Sequence, residues 1–222
     1  MSRASRFRLR EPFSGISHLF GAALSIAGLA VLLVLSRGDG WRLTSFSIYG
    51  ASLIVLYSAS GIYHSLPVGP TALERLRKFD HCGIFFLIAG SYTPICLGPL
   101  RSTSPGWAWS LFGVVWAIAL VGILSEILWP SMPPWFDLML YLIMGWMALI
   151  GIGPLIHVFS SAALAWLIGG GIVYSIGAIF YATERPRLWP GVFGSHDLWH
   201  IFVLGGSFSH FMMMLTFAMP SH

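Results

Sequence analysis

The sequence has 222 residues, of which 56% are hydrophobic and only 9% charged. A soluble domain carries about 25% charged residues and could not cover its surface with so few, so lipid is the expected solvent. The formal net charge of +4 comes without a long basic patch, which excludes nucleic acid as a partner and points to membrane lipids with anionic headgroups.

A helix that crosses a bilayer needs about 20 mostly apolar residues. Seven such runs follow one another, at 16–35, 44–66, 79–97, 107–128, 136–157, 162–182 and 196–219. A β-barrel would alternate strictly in segments of about 10 residues. These runs are longer and apolar all round. The expected fold is therefore all-α, an integral membrane bundle of seven transmembrane helices, with 1–222 forming one domain and 1–15 a basic lead-in. The first run follows basic residues, as a signal peptide does, but it lacks a small-x-small cleavage site and reads as a retained span.

The connections are short. Gly38-Asp39-Gly40 makes the first turn, and 67–71 ends the second helix. Residues 102–106 separate the third and fourth helices, Pro130, Pro133 and Pro134 the fourth and fifth, and Pro186 and Pro190 lie in the last loop. Trp41, Trp107, Trp109, Trp129, Trp135 and Trp189 fall near helix ends, where interfacial aromatic residues belong. Pro94 is expected to kink the third helix. Gly21, Ser25 and Gly28 suit close helix contact. Cys82 and Cys96 share the third helix about 21 Å apart, too far to pair.

Basic residues set the expected orientation. With seven spans, Arg3, Arg6, Arg8, Arg10, Arg75, Arg77, Lys78, Arg185 and Arg187 fall on one side, and only Arg37, Arg42 and Arg101 on the other. The positive-inside rule makes the first side cytoplasmic, with the N-terminus inside and the C-terminus outside. A chain with such short loops suits a bacterial plasma membrane.

The chemistry lies in the few ionisable residues that a bilayer should exclude. His64 lies near the end of the second helix, one turn after Ser60. Asp80 and His81 open the third helix, and His196, Asp197 and His200 open the seventh. Topology alone brings Ser60, His64, Asp80, His196 and His200 to one depth on the cytoplasmic side. His196 and His200, at i and i+4, share a helix face with Cβ atoms about 6 Å apart. That spacing lets two imidazoles bind one metal, as in the H-E-x-x-H zinc motif. His64 can supply a third ligand and leave one tetrahedral position open. Asp80 and Ser60 can orient a ligand or hydrogen-bond a water there. The alternative is a satisfied polar cluster that caps helix ends.

The remaining polar residues rank lower. His18 is expected at headgroup level, with lining of the same cavity as the alternative. His210 is expected to hydrogen-bond a Ser or Thr on another helix. Glu126 and Asp137, beside the turn between the fourth and fifth helices, read as interfacial. His157 belongs to the outer end of the fifth helix, and His222 is terminal. His81 points about 100° away from Asp80 and is a reserve ligand.

Several of these motifs resemble the hemolysin III family, the bacterial relatives of the progestin and adipoQ receptors (PAQR), within a wider superfamily that includes alkaline ceramidases. The similarity runs through Glu11-Pro12, Ser17-His18-Leu19-Phe20-Gly21, Ser60-Gly61-Ile62-Tyr63-His64, Asp80-His81, Ala89-Gly90-Ser91-Tyr92-Thr93-Pro94, His196-Asp197-Leu198-Trp199-His200 and His210-Phe211. It implies a zinc ion held by His64, His196 and His200 on the cytoplasmic side, with Asp80 and Ser60 beside it. It also implies hydrolysis of lipid amides in some relatives and a cytolytic activity assigned to others.

Three functions are thus in view. The first is a zinc-dependent hydrolase of a lipid amide or ester, with Asp80 and Ser60 as catalytic residues. The second is a sensor of membrane state in which zinc only ties helices together. The third is a cytolysin, which needs a polar lumen that the spans do not offer.

Overall fold

A computed structural model describes residues 9–129, 131–189 and 192–218. Arg3, Arg6, Arg8, Pro130, Pro190, Met219 and His222 lie outside the described residues. The described chain is helical, with no strand and one isolated bridge between Trp189 and Phe193. The helices are α1 (Pro12–Leu35), α2 (Gly40–Ser65), α3 (Pro70–Ile95), α4 (Pro105–Leu128), α5 (Pro134–Trp146 and Ile152–Val158), α6 (Ser161–Thr183) and α7 (Ser195–Ala218). Six are long and apolar enough to cross a membrane singly, and there are seven candidate spans when the two halves of α5, bent at their break, are counted as one.

Local chemistry explains where the helices start. Pro12, Pro70, Pro105 and Pro134 each open a helix, where the missing N–H costs nothing and φ is already set. Asp39 caps α2 by accepting from the Trp41 and Arg42 amides, both at 3.0 Å. Ser160 caps α6 through the Ala163 amide at 3.1 Å. Gly38 turns the chain before α2 with φ +89°.

Helices α1 and α2 each begin four residues before the expected runs, at Pro12 and Gly40, and two further differences bear on the site. The third helix begins at Pro70, not near residue 79, so Asp80 and His81 sit inside α3 and not at its start. Hydropathy stops at Glu74, Arg75, Arg77 and Lys78, but these are good helix formers and the helix continues through them. The fifth helix is not continuous. It breaks after Trp146, and its halves meet at 54°.

Helices α2 and α3 form the interior, with Phe46, Tyr57 and Phe85 fully enclosed. By contrast, α1, α4 and α6 expose Ile26, Val31, Leu120, Val121, Ile172 and Ile179. Exposed apolar faces on this scale fit a lipid solvent. The six tryptophans near helix ends are all exposed. Close packing at α1 uses the expected small residues: a Cβ on Gly21 would meet Leu204 at 2.8 Å and Tyr57 at 3.0 Å. Irregularity in α3 comes just after Pro94, in the wide turn Cys96–Leu100 with Gly98 at its centre. Both cysteines are free.

One side chain repairs the break in α5. Tyr92 of α3 donates to the carbonyls of Met144 (2.8 Å) and Gly145 (3.0 Å) and accepts from the Ala148 amide (2.9 Å). The break turns the Ala148 amide to this hydroxyl, while the Met144 carbonyl also accepts from the Met147 amide, and no water is available to a buried span. Tyr92→Phe keeps the ring and removes the hydroxyl. The expected cost is roughly 1–3 kcal/mol, the penalty for unpaired buried polar groups, read as a lowered thermal midpoint in detergent micelles.

Candidate metal centre

The first turn of α7 is held at both ends. Asp197 accepts from the Gly194 amide at 2.9 Å, a back-bond that closes the helix start. Its other oxygen accepts from Ser14 of α1 at 2.8 Å. This fixes the rotation of α7 and turns His196 and His200 inward. His64 comes from the last turn of α2 and Asp80 from the middle of α3. His64, Asp80 and His200 are 2%, 7% and 2% exposed and His196 is half-buried, so the four residues meet inside the protein.

The geometry matches a tripod. His64 Nε2 and His196 Nε2 are 3.5 Å apart, and His196 Nε2 and His200 Nε2 3.2 Å. All three ligand atoms lie within 4.8 Å of one another. Nitrogens about 2.0–2.1 Å from a tetrahedral ion stand about 3.3 Å apart. Two of the edges are therefore already close to ligand spacing. Three imidazole nitrogens this close repel unless protons or a cation lie between them. These buried groups could hold a metal ion.

Around the tripod, Asp80 Oδ2 lies 3.8 Å from His64 Nε2. The Ser60 hydroxyl stands beside the Asp80 carboxyl. Glu11, just outside α1, accepts a hydrogen bond from His64 Nδ1. That bond holds the Glu11 carboxyl below the usual carboxylate range, against the opposite pull of its partial burial.

The tripod opens on a cavity of about 480 Å³ that runs along the bundle. Its wall is mostly apolar, with Leu56, Ile88, Ile95, Leu142, Val203 and Met213 among the lining residues. Tyr57 and Tyr174 converge on Ser207, each at 2.7 Å, and tie α2, α6 and α7 together around it. The volume is in the range of small-molecule sites.

Several lower-ranked residues lie elsewhere than expected. His18 takes the alternative place, inside the protein. It is buried in the cavity wall, its ring centroid 3.9 Å from that of His200 and 4.9 Å from that of Tyr57. Neither of its nitrogens has a partner among the described residues. The reason is that α1 leans on α2 and α7 from its first turn. His210 does bridge helices, but its partner is the Leu167 carbonyl at 3.3 Å and not a hydroxyl. Gly170 leaves room for that ring. His157 is exposed near the end of the second half of α5.

A second cluster was not foreseen. Glu126 of α4 and Asp137 of α5 are 2% and 5% exposed and face His81, whose Nδ1 lies 3.6 and 3.5 Å from their nearer oxygens. These three also have the spacing of a metal group. Arg77, however, already reaches into the set, 3.2 Å from Glu126 and 3.3 Å from His81 Nδ1, while forking Glu74 at 2.8 and 3.0 Å. We read it as a buried ion network joining α3, α4 and α5. A signal existed in the sequence: two acids flank one short turn at the depth of the basic loop 75–78.

Residues 7–211 match the family described as "Haemolysin-III related". The chain is 37% identical over 214 residues to a "Hemolysin-3 homolog" of Bacillus subtilis, covering 95% of this chain and 96% of that protein. It is 34% identical over 223 residues to "Hemolysin-3" of Bacillus cereus, covering 100% and 97%. A more distant relative is an "Adiponectin receptor protein" of Drosophila melanogaster, 29% identical over 248 residues, where the match spans 97% of this chain and 52% of the longer protein. Apolar helices, the buried histidine tripod and this full-length similarity lead to one conclusion: the chain is an integral membrane protein and belongs to the haemolysin-III related family.

Proposed function

We propose that the protein is a zinc-dependent hydrolase of a lipid amide or ester, working at the cytoplasmic end of its bundle. The observation that carries the reading is the tripod of His64, His196 and His200 with ligand spacing, beside Asp80, at one end of an apolar cavity. Three histidines leave an open position, the plan of catalytic zinc sites and not of closed structural ones.

The residues divide the work. His64, His196 and His200 hold the ion through Nε2. Zinc bound there supplies Lewis acidity, which polarises a carbonyl and lets water ionise near neutral pH. Asp80 would hold the attacking water in line, accept its proton and pass that proton to the leaving amine or alcohol as the acyl bond breaks. Ser60 hydrogen-bonds Asp80 and keeps its carboxyl aimed at the tripod. The cavity takes the apolar chain of the substrate, so that its amide or ester lies level with Asp80. Burial of the site excludes competing water.

The orientation belongs to the same proposal. Arg10, Arg75, Arg77, Lys78, Arg185 and Arg187 lie at the end of the bundle that holds the tripod, and the positive-inside rule makes that end cytoplasmic. An alkaline phosphatase fused after the C-terminus is expected to be active in intact bacteria. Activity only from a fusion within loop 185–189 would reverse the assignment.

Two measurements test the chemistry. Elemental analysis of protein purified without added chelator should find about one zinc per chain, and His200→Ala should lose at least about nine-tenths of it. Purified protein in vesicles of defined lipids should hydrolyse an amide- or ester-linked acyl lipid. Asp80→Asn should lower the rate about 10²- to 10⁴-fold, the span of general acid–base catalysis. Undiminished turnover by His196→Ala would sink the hydrolase reading. Zinc retention that raises thermal stability, with no turnover of any acyl lipid, would favour the sensor with structural zinc.

A further inference from the structure

We infer that Glu11 is a positioning residue of the metal centre: it sets the ring of His64 and couples the segment before α1 to the bound ion. The inference rests on the metal reading above and goes beyond it, since Glu11 is neither a ligand nor a group that meets substrate.

The argument begins with His64, the second-to-last residue of α2. A neutral imidazole carries one proton, and the nitrogen that keeps it is decided by what the other nitrogen bonds. For Nε2 to offer its lone pair to an ion, the proton must sit on Nδ1. Glu11 accepts from Nδ1 and so fixes both the tautomer and the ring plane. The carboxylate also partly offsets the charge of an ion held by three neutral ligands. Among the described residues, His64 alone of the three has a carboxylate bonded to its distal nitrogen. His200 Nδ1 is buried without a partner.

The contact is built, not incidental. The backbone of Glu11 bonds the same residue as its side chain, donating to the His64 carbonyl at 2.9 Å. The Arg10 amide donates to the Ser65 carbonyl at 3.2 Å. Arg10 also lies over the Tyr63 ring at 4.4 Å, donates to the Tyr63 carbonyl at 2.9 Å, and meets the second Glu11 oxygen at 3.3 Å. Residues 10 and 11 thus form a strap across the end of α2, and Glu11 is the one link from that strap to a ligand. Coupling of this kind is reciprocal: whatever the strap adds to ion affinity, the ion adds to the hold on the strap.

The test uses the full chain in detergent micelles and zinc alone as the probe. Chelator competition should show zinc held about 10- to 100-fold more weakly by Glu11→Ala, the usual effect of losing a ligand's hydrogen-bond partner. Glu11→Gln keeps an acceptor for Nδ1 but no charge, and should fall between Glu11→Ala and the wild type. Hydrogen exchange at the amides of residues 10 and 11 should slow on adding zinc to the wild type and should not respond to zinc in Glu11→Ala. Equal zinc affinity in all three proteins, with Glu11→Ala less stable to heat by the same amount with and without zinc, would make Glu11 a structural strap only and overturn the inference. Absence of zinc binding by the wild type would instead remove the metal reading itself.

Discussion

Lipid offers no hydrogen bonds, so a polar group inside a bundle must find its partner on another part of the same chain. This constraint shapes the molecule more than apolar packing does, because hydrocarbon side chains are as content against lipid as against each other. The helices therefore meet where polar groups meet. Ser14 holds Asp197, Tyr57 and Tyr174 share Ser207, Trp116 donates to Thr93, and Tyr92 serves the broken backbone of α5. Each bond joins two helices and fixes their relative rotation. The tripod is one outcome of that rotation, since an imidazole turned by one residue would face lipid.

Charge is concentrated at one end of the bundle and divided into two buried groups. The ion network of Glu74, Arg77, His81, Glu126 and Asp137 contains a guanidinium, a permanent cation that pairs with Glu74 and Glu126, while Asp137 faces His81. The tripod has three imidazoles and no Lys or Arg on its ligand atoms. Adjacent residues of α3, Asp80 and His81, belong to the two groups, which line the same cavity. The difference explains why the same kinds of side chain support different readings at the two places.

The spans and the tripod were legible in the sequence for a physical reason. Twenty apolar residues can do little else than cross a bilayer, and counting crossings fixes which helix ends share a depth. Depth was enough to gather His64, Asp80, His196 and His200. It was not enough for Glu11, His18 or the partners of His81, because those depend on how helices lean and turn about their axes. No local window records that. Glu11 sits outside every apolar run, and its role exists only because residues 10 and 11 cross the end of α2. The start of α3 was misplaced because hydropathy marks where lipid ends, whereas hydrogen bonding decides where a helix ends. The motif around Ala89 and Pro94 also gains a meaning. A Cβ on Gly90 would run into Ser52, Thr93 takes the Trp116 bond, and Tyr92 bonds the broken backbone of α5, so these residues serve packing.

The three bonds of the Tyr92 hydroxyl have an evolutionary consequence. In a straight fifth helix the carbonyls of Met144 and Gly145 would be spent on their own helix, and the hydroxyl would be stranded in hydrocarbon. In a bent one without the hydroxyl, the backbone would be stranded. Position 92 and the course of α5 are therefore a single inherited variable. A change at either one alone leaves buried polar groups with fewer partners.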